Sequence, residues 1–289
     1  MSTIKDSKIV KNALNFPGVF STYHFLWAWA GAKMHRYPSK KIFVIGVTGT
    51  KGKTTTLEIL NAILEAAGKK TALLSSVRSK IGGESEKNTV GNSMPGRGHI
   101  QKFLQRAIAA KCGYALIEVT SQGVVAHRHR FINWNIGAIT NLAPEHIESH
   151  GSFENYRAAK LDFLKYVLNK GGKVFLNRDD ANFPFFAEAL AGKKTAEYSK
   201  DDAWLREYLP KLTPMHAMYG DHLAENKFLI KGFNEENIAV AVAIAKDLGI
   251  GNQVIERAIA GFEGVPGRME FIRVGGDGED LRHAETPVS

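Results

Sequence analysis

Cysteine is nearly absent from this chain of 289 residues. Cys112 stands alone, which excludes an internal disulfide and any metal site built from several thiolates. It precedes an apolar run and reads as a small packing residue, so a reducing, cytoplasmic setting is expected. No cleavable leader is evident, and neither an internal repeat nor a low-complexity tract is found. Long hydrophobic runs are lacking as well. The most apolar stretch, Val19 to Met34, holds Phe20, Tyr23, Phe25, Leu26, Trp27 and Trp29 before His35-Arg36-Tyr37-Pro38-Ser39-Lys40-Lys41. It falls short of the about 20 apolar residues that a membrane span needs. Two readings of residues 19 to 41 stay open: a helix lying on an anionic membrane surface, or, the favoured one, a helix packed against the rest of the domain. Also missing is a compact Lys/Arg run interleaved with aromatics, so nucleic acid is not an expected partner.

What is present is an ordinary globular composition, 44% hydrophobic and 23% charged, with a net charge of +9. That sign suits anionic small molecules, and the length suits one large or two modest domains. The most informative stretch is Gly46-Val47-Thr48-Gly49-Thr50-Lys51-Gly52-Lys53-Thr54-Thr55-Thr56. Ile42-Phe43-Val44-Ile45 before it has the length and β-branched content of a buried strand. Leu57, Ile59, Leu60, Ile63 and Leu64 after it recur at helical spacing. Strand, glycine-rich turn and helix are the setting of a phosphate-binding loop: glycines admit phosphate oxygens close to the backbone, and amides at the helix start point at the anion. Lys53 is positioned to neutralise the terminal phosphates, and the Thr54 hydroxyl to reach Mg²⁺. The common spacing would place a glycine at Val47; the pattern here is the variant Gly-x-x-Gly-x-x-Gly-Lys-Thr-Thr. Gly49, Thr50, Lys51, Gly52, Lys53, Thr54 and Thr55 are therefore candidate nucleotide contacts.

Along the chain, residues 1–40 read as a short helical lead-in that Pro38 breaks. Strands are expected at 70–74, 114–119, 136–140 and 173–177, with helices at 100–110, 156–169, 183–190, 237–248 and 252–262. Residues 80–97 read as a loop or small hairpin, and 195–231 as a less regular region adding a few antiparallel strands. The alternation predicts an α/β fold: a P-loop-type, mostly parallel sheet flanked by helices. Ligands collect at the carboxyl ends of such strands, where Glu118, Thr140-Asn141 and Asn177-Arg178-Asp179-Asp180 all fall. The polar tail after Val274 reads as linker.

From about Lys41 to Glu270 the chain resembles the Mur ligase family, ATP-dependent amide ligases of cell-wall precursor synthesis. The resemblance rests on the phosphate loop and on Glu118-Val119-Thr120-Ser121-Gln122-Gly123, Thr140-Asn141-Leu142, His150-Gly151, Tyr156-Arg157-Ala158-Ala159-Lys160 and Gly267-Arg268-Met269-Glu270, in that order. It is nearest the branch that adds the third amino acid of the peptide. The resemblance implies roles for single residues. Glu118 matches a magnesium-binding glutamate, though a strand-end glutamate is by itself as readily a surface charge. His146 matches a ligand of a second magnesium, where spacing alone favours a hydrogen-bonding loop histidine; Glu145 before it replaces a common aspartate. Lys160 matches a lysine that is carbamylated and so turned into an anionic metal ligand, where a lone helix lysine reads as a solvated charge. Asn234 and Asn237 match adenine-side asparagines, with a helix N-cap at Asn234 the equal alternative, and Arg268 matches an arginine near the nucleotide. Ser93, Ser121 and Arg128 match positions that contact the sugar-peptide acceptor. Gln122 and Ser93-Met94-Pro95 depart from the commoner histidine and Thr-Thr pair, which makes acceptor recognition less secure than ATP binding.

The implied activity is attachment of an amino acid to a UDP-N-acetylmuramoyl-dipeptide-like acceptor through an acyl phosphate, with ATP and Mg²⁺ as cofactors. The implied partners are small molecules only: ATP, the acceptor and the amino acid. The rival readings are a folylpolyglutamate-synthase-like or poly-glutamate ligase, and a non-catalytic ATP-binding module. The expected organisation is a lead-in at 1–40, a central ATP-binding domain at 41–270, and the linker of a further domain at 271–289. Family members also carry a separate uridine-diphosphate-gripping domain before the central one, which forty residues cannot supply, so an incomplete ligase is expected.

Overall fold

The structure is a computed structural model describing residues 17–88, 93–96, 98–145, 150–212, 232–262, 264 and 265. His146, Arg268, residues 1–16 and the expected linker at 271–289 lie outside the described residues.

Eight described strands form one sheet in the order β4-β3-β2-β5-β1-β6-β7-β8. They are β1 (Phe43–Thr48), β2 (Thr71–Leu74), β3 (Arg78–Ile81), β4 (Glu84–Lys87), β5 (Tyr114–Glu118), β6 (Ile136–Ile139), β7 (Lys173–Asn177) and β8 (Thr195–Tyr198). The described helices are α1 (Pro17–Met34), α2 (Lys53–Ala66), α3 (His99–Ala109), α4 (Ser121–Val125), α5 (Phe153–Asn169), α6 (Phe183–Ala189), α7 (Ala203–Leu212), α8 (Gly232–Asp247) and α9 (Asn252–Ala260), with a 3-10 turn at Pro38–Lys40. All neighbouring pairs from β2 to β8 are parallel, while β3 and β4 form an antiparallel hairpin at one edge.

The central strands are apolar on both sides because helices cover both faces. Along β1, Val44 joins a core with Trp134, Phe163 and Leu164 of the α5 side, whereas Ile45 and Val47 join Leu57, Leu60 and Ile238 of the α2/α8 side. Gly46 faces the aromatic side, where a Cβ would lie 2.7 Å from both Phe163 and Trp134. A side chain there would collide with the core, which is why this central strand carries a glycine. The strand order reverses around β1, which lies between β5 and β6 and so opens a crevice at their carboxyl ends.

Two expectations need correcting. Residues 195–198 do not form an antiparallel strand: β8 runs parallel to β7, because α6 carries the chain back across the sheet before it pairs again. Residues 203–212 are helical and 213–231 lie outside the described residues. Asn234 is not an N-cap, since α8 begins at Gly232 and encloses it. The lead-in helix α1 is docked on one side: Ser21 Oγ meets His127 Nε2 at 2.8 Å, Phe25 stacks edge-on against Phe131, and Ala32 is fully buried.

Candidate functional site

The β1–α2 loop closes on itself and on its neighbours through backbone and short polar side chains. Gly49 and Gly52 have φ of 144° and 82°, in the region that favours glycine. Neither position has room for a side chain: a Cβ on Gly49 would sit 1.9 Å from Thr140 Oγ1, and one on Gly52 1.9 Å from Asn237 Oδ1. The Thr50 amide donates to the Asn141 carbonyl at 2.9 Å, and the Lys51 amide to Asn141 Oδ1 at 2.9 Å. Thr140 Oγ1 donates to the Lys51 carbonyl at 2.6 Å, and Thr50 Oγ1 lies 3.1 Å from the Tyr156 hydroxyl. Lys51 pairs with Glu145 at 3.3 Å, largely in solvent. Thr140, Asn141 and Tyr156 were legible only as parts of longer motifs; in the fold these three side chains brace the loop.

Two lysines converge on the loop from opposite directions. Lys53 Nζ donates to the carbonyls of Gly49 at 3.0 Å and Thr50 at 2.8 Å. Lys160 Nζ, on α5, donates to the same Gly49 carbonyl at 2.8 Å and lies 4.3 Å from the Tyr156 ring centroid. Lys160 is only 1% exposed. Burial first, and the nearby Lys53 charge second, pull its pKa well below the ordinary lysine value. Thus the helix lysine is not a solvated charge.

On the other side of the loop, register places Glu118 beside Val47 at the end of β5. Its side chain is 4% exposed, so the surface-charge alternative is set aside. Thr54 Oγ1 donates to Glu118 Oε2 at 2.8 Å, and the Ser76 amide donates to the same oxygen at 2.9 Å. Ser76 Oγ is 3.0 Å from Thr54 Oγ1. Ser76 went unnoticed in the sequence, although it follows the end of β2 on the same rim. A carboxylate and two hydroxyls form a compact set of hard oxygen donors, which suits Mg²⁺ sharing its coordination with phosphate and water. Among the described residues no three His, Cys, Asp or Glu side chains gather into a metal site; a magnesium bound mainly by phosphates needs no such cage.

Asn234 and Asn237 are 0% and 3% exposed at the start of α8. Asn237 Nδ2 donates to Asn234 Oδ1 at 3.4 Å, and Thr56 Oγ1 donates to Asn237 Oδ1 at 3.4 Å. Together they press α8 against Gly52 and the N-terminus of α2. Thr55 is buried on the same helix. The candidate acceptor residues lie away from this cluster. Arg128 Nη1 donates to the Met94 carbonyl at 2.7 Å, next to half-buried Ser93, and Ser121 Oγ meets His150 Nε2 at 3.0 Å. Met94 packs against Gly123 of α4, and the Arg128 amide donates to the Gly123 carbonyl at 2.8 Å, so the structure gathers Ser93, Arg128 and Ser121 around α4.

Comparison with known proteins gives this geometry a family. Residues 47–245 match the family model described as the Mur ligase middle domain. A UDP-N-acetylmuramoyl-L-alanyl-D-glutamate--2,6-diaminopimelate ligase of Syntrophomonas wolfei is 33% identical over 256 residues, which are 86% of this chain and 52% of the relative. The protein of the same description from Trichormus variabilis is 31% identical over 275 residues, 89% of this chain and 53% of its own. A solved structure of a ligase with that description superposes with a TM-score of 0.65 at 22% identity, over 84% of this chain and 52% of the other; that likeness speaks for the fold. The chain spans about half the length of the curated relatives it matches. Over most of its own length its loop, strand ends and helices are those of one lineage, and the chain belongs to the Mur ligase family.

Proposed function

We propose that this chain carries the ATP-handling centre of a cytoplasmic amide ligase that extends a UDP-N-acetylmuramoyl-dipeptide-like acceptor by one amino acid. The observation that carries the reading is the convergence of Lys53, Lys160, Thr54 and Glu118 around one phosphate loop. In this reading the loop amides and Lys53 bind the β- and γ-phosphates of ATP. Mg²⁺, when bound, screens the phosphate charge and supports phosphoryl transfer to a carboxylate. Thr54 and Glu118 would hold it beside the loop. The acceptor carboxylate takes the γ-phosphoryl group and ADP leaves; an amine then attacks the acyl carbon and expels phosphate. The buried amine of Lys160, whose proton is held less firmly than usual, is suited to lose that proton and add CO₂, losing a further proton to become a carbamate. With His146 it would then hold a second Mg²⁺. Asn234, Asn237 and Arg268 are assigned to the nucleotide, and Ser93, Ser121 and Arg128 to the acceptor. Among the described residues no helix is long and apolar enough to cross a membrane.

The test measures Mg·ATP binding by calorimetry and ADP formation with candidate acceptors. We expect binding that weakens at least about tenfold in Lys53→Ala, since a charge-assisted hydrogen bond is lost. ADP formation should require a UDP-muramoyl-dipeptide and be indifferent to folates. Turnover driven by a folate would move the chain to the folylpolyglutamate branch. Tight Mg·ATP binding with no acceptor response in a full-length version would leave an ATP-binding module and overturn the ligase reading.

A further inference from the structure

Helix α1 is rich in apolar residues, yet among the described residues only one side of it is covered. Ser21, Phe25, Gly31 and Ala32 engage the domain through His127, Phe131 and Gly98. Beyond those contacts Leu26 is 53% exposed, Trp29 41% and Met34 68%, with Val19 also open. A single exposed apolar residue needs no explanation, but a row of them along one 18-residue helix does. The surrounding charge is one-sided. No Asp or Glu occurs between Asp6 and Glu58, nor between Glu86 and Glu118. These two segments supply α1, the 3-10 turn and α3, which lie side by side through a 2.7 Å contact of His35 Nδ1 with Gln105 Oε1. The exposed charges they contribute are Lys33, Arg36, Lys40, Lys41, Lys102 and Arg106. Lys33 Nζ also lies 5.0 Å from the Trp29 ring centroid, the stem-along-apolar, head-in-water arrangement of an interfacial lysine.

We propose that the outer face of α1 docks this protein onto an anionic phospholipid bilayer, in the plane of the surface. Aromatic and aliphatic side chains enter the headgroup boundary, while the flanking cations meet lipid phosphates. Among the described residues no helix is long and apolar enough to span the bilayer, and α1 is joined to the domain through His127 and Phe131. A second copy of the chain or another protein domain would want apolar area as well, but neither calls for α1, the 3-10 turn and α3 to present cations without a carboxylate among them. Because α1 also lines, through His24 and Trp27, a shallow open cleft beside Arg128 and Arg130, docking brings that cleft to the membrane. The proposal stands on the exposed face and its charge, whichever acceptor the cleft takes.

The experiment is vesicle cosedimentation of the full chain with phosphatidylcholine alone and with phosphatidylcholine mixed with phosphatidylglycerol. We expect binding only to the mixed vesicles, weakened by salt, with a blue-shifted tryptophan emission. The double variant Leu26→Ser/Trp29→Ser changes solvent-facing positions and should keep its circular dichroism and melting temperature, yet lose at least about tenfold in vesicle binding. Lys33→Gln/Lys40→Gln should lose binding chiefly at low salt, where the charge attraction is least screened, and serves if the first variant is unstable. Absence of binding to the mixed vesicles overturns the proposal, as does equal binding by Leu26→Ser/Trp29→Ser, which would mean charge attraction alone. Concentration-dependent self-association without vesicle binding assigns the face to a second copy and likewise overturns it.

Discussion

Lys160 shows how much one residue's surroundings decide. Its amine is enclosed and shares the Gly49 carbonyl with Lys53, so its proton is held less firmly than in the unfolded chain. Between its depressed folded pKa and the ordinary lysine value the unfolded chain binds a proton that the folded one does not. Stability therefore rises with pH through that window, and the gain is complete above the ordinary value. We expect denaturant unfolding between pH 7 and pH 10 to show this rise, and Lys160→Met to flatten it. Growth of a carbamate signal in carbon-13 spectra with labelled bicarbonate, absent in Lys160→Met, checks the proposed chemistry; no signal would leave Lys160 as a loop-positioning amine. The burial was legible. Tyr156, Phe163, Leu164 and Val167 line one buried stripe of α5, and Lys160 sits four residues from both Tyr156 and Leu164, in that stripe. Reading it as a lone lysine hid this. Glu118 was ambiguous because a strand end can face solvent or a neighbouring helix; only the position of Thr54 and Ser76 decides.

At the scale of elements, α2 and the edge hairpin are joined by two ion pairs, Arg78 with Glu58 and Lys80 with Glu65. Glu58 on α2 is 2% exposed, and Arg78 at the start of β3 grips it with Nε to Oε1 at 2.8 Å and Nη2 to Oε2 at 2.5 Å. Removing the guanidinium strands a carboxylate away from water. Arg78→Met should therefore lower stability by about 3 kcal/mol. Replacing both residues, Glu58→Gln with Arg78→Met, should cost less than the single change; additive losses in a double-mutant cycle would show no coupling. The parallel strands and their helices were readable from periodicity, since each apolar run is bounded by turns. The edge was harder. A hairpin was expected within 80–97, and it lies earlier, at 78–87, because β3 borrows Arg78 and Lys80 for ion pairs with α2 residues rather than presenting an apolar run. Likewise β8, Thr195-Ala196-Glu197-Tyr198, has little apolar character of its own; pairing with β7 and the buried Tyr198 define it.

For the molecule as a whole, the phosphate loop is not an appendage that can loosen alone. It is tied to β6 through Thr140 and Asn141, to α5 through Tyr156 and Lys160, and to α8 through Asn237. These elements belong to the two cores that sandwich the sheet. A ligand that binds only the ordered loop must therefore stabilise the cooperative unit rather than one segment. At a Mg·ATP concentration 100 times its dissociation constant, linkage gives about 2.7 kcal/mol, or a rise of roughly 5–10 °C in melting temperature for a unit of this size. The rise should shrink when Mg²⁺ is withheld and again in Thr54→Ala, which removes a hydroxyl from the oxygen set around Glu118. Scanning calorimetry distinguishes the outcomes. One transition moving upward as a whole, in a Mg²⁺-dependent way, is the expected result. A small early transition that shifts while the main one stays fixed would mean that the loop unfolds independently, and that its ties to α5 and α8 carry no energy between site and core.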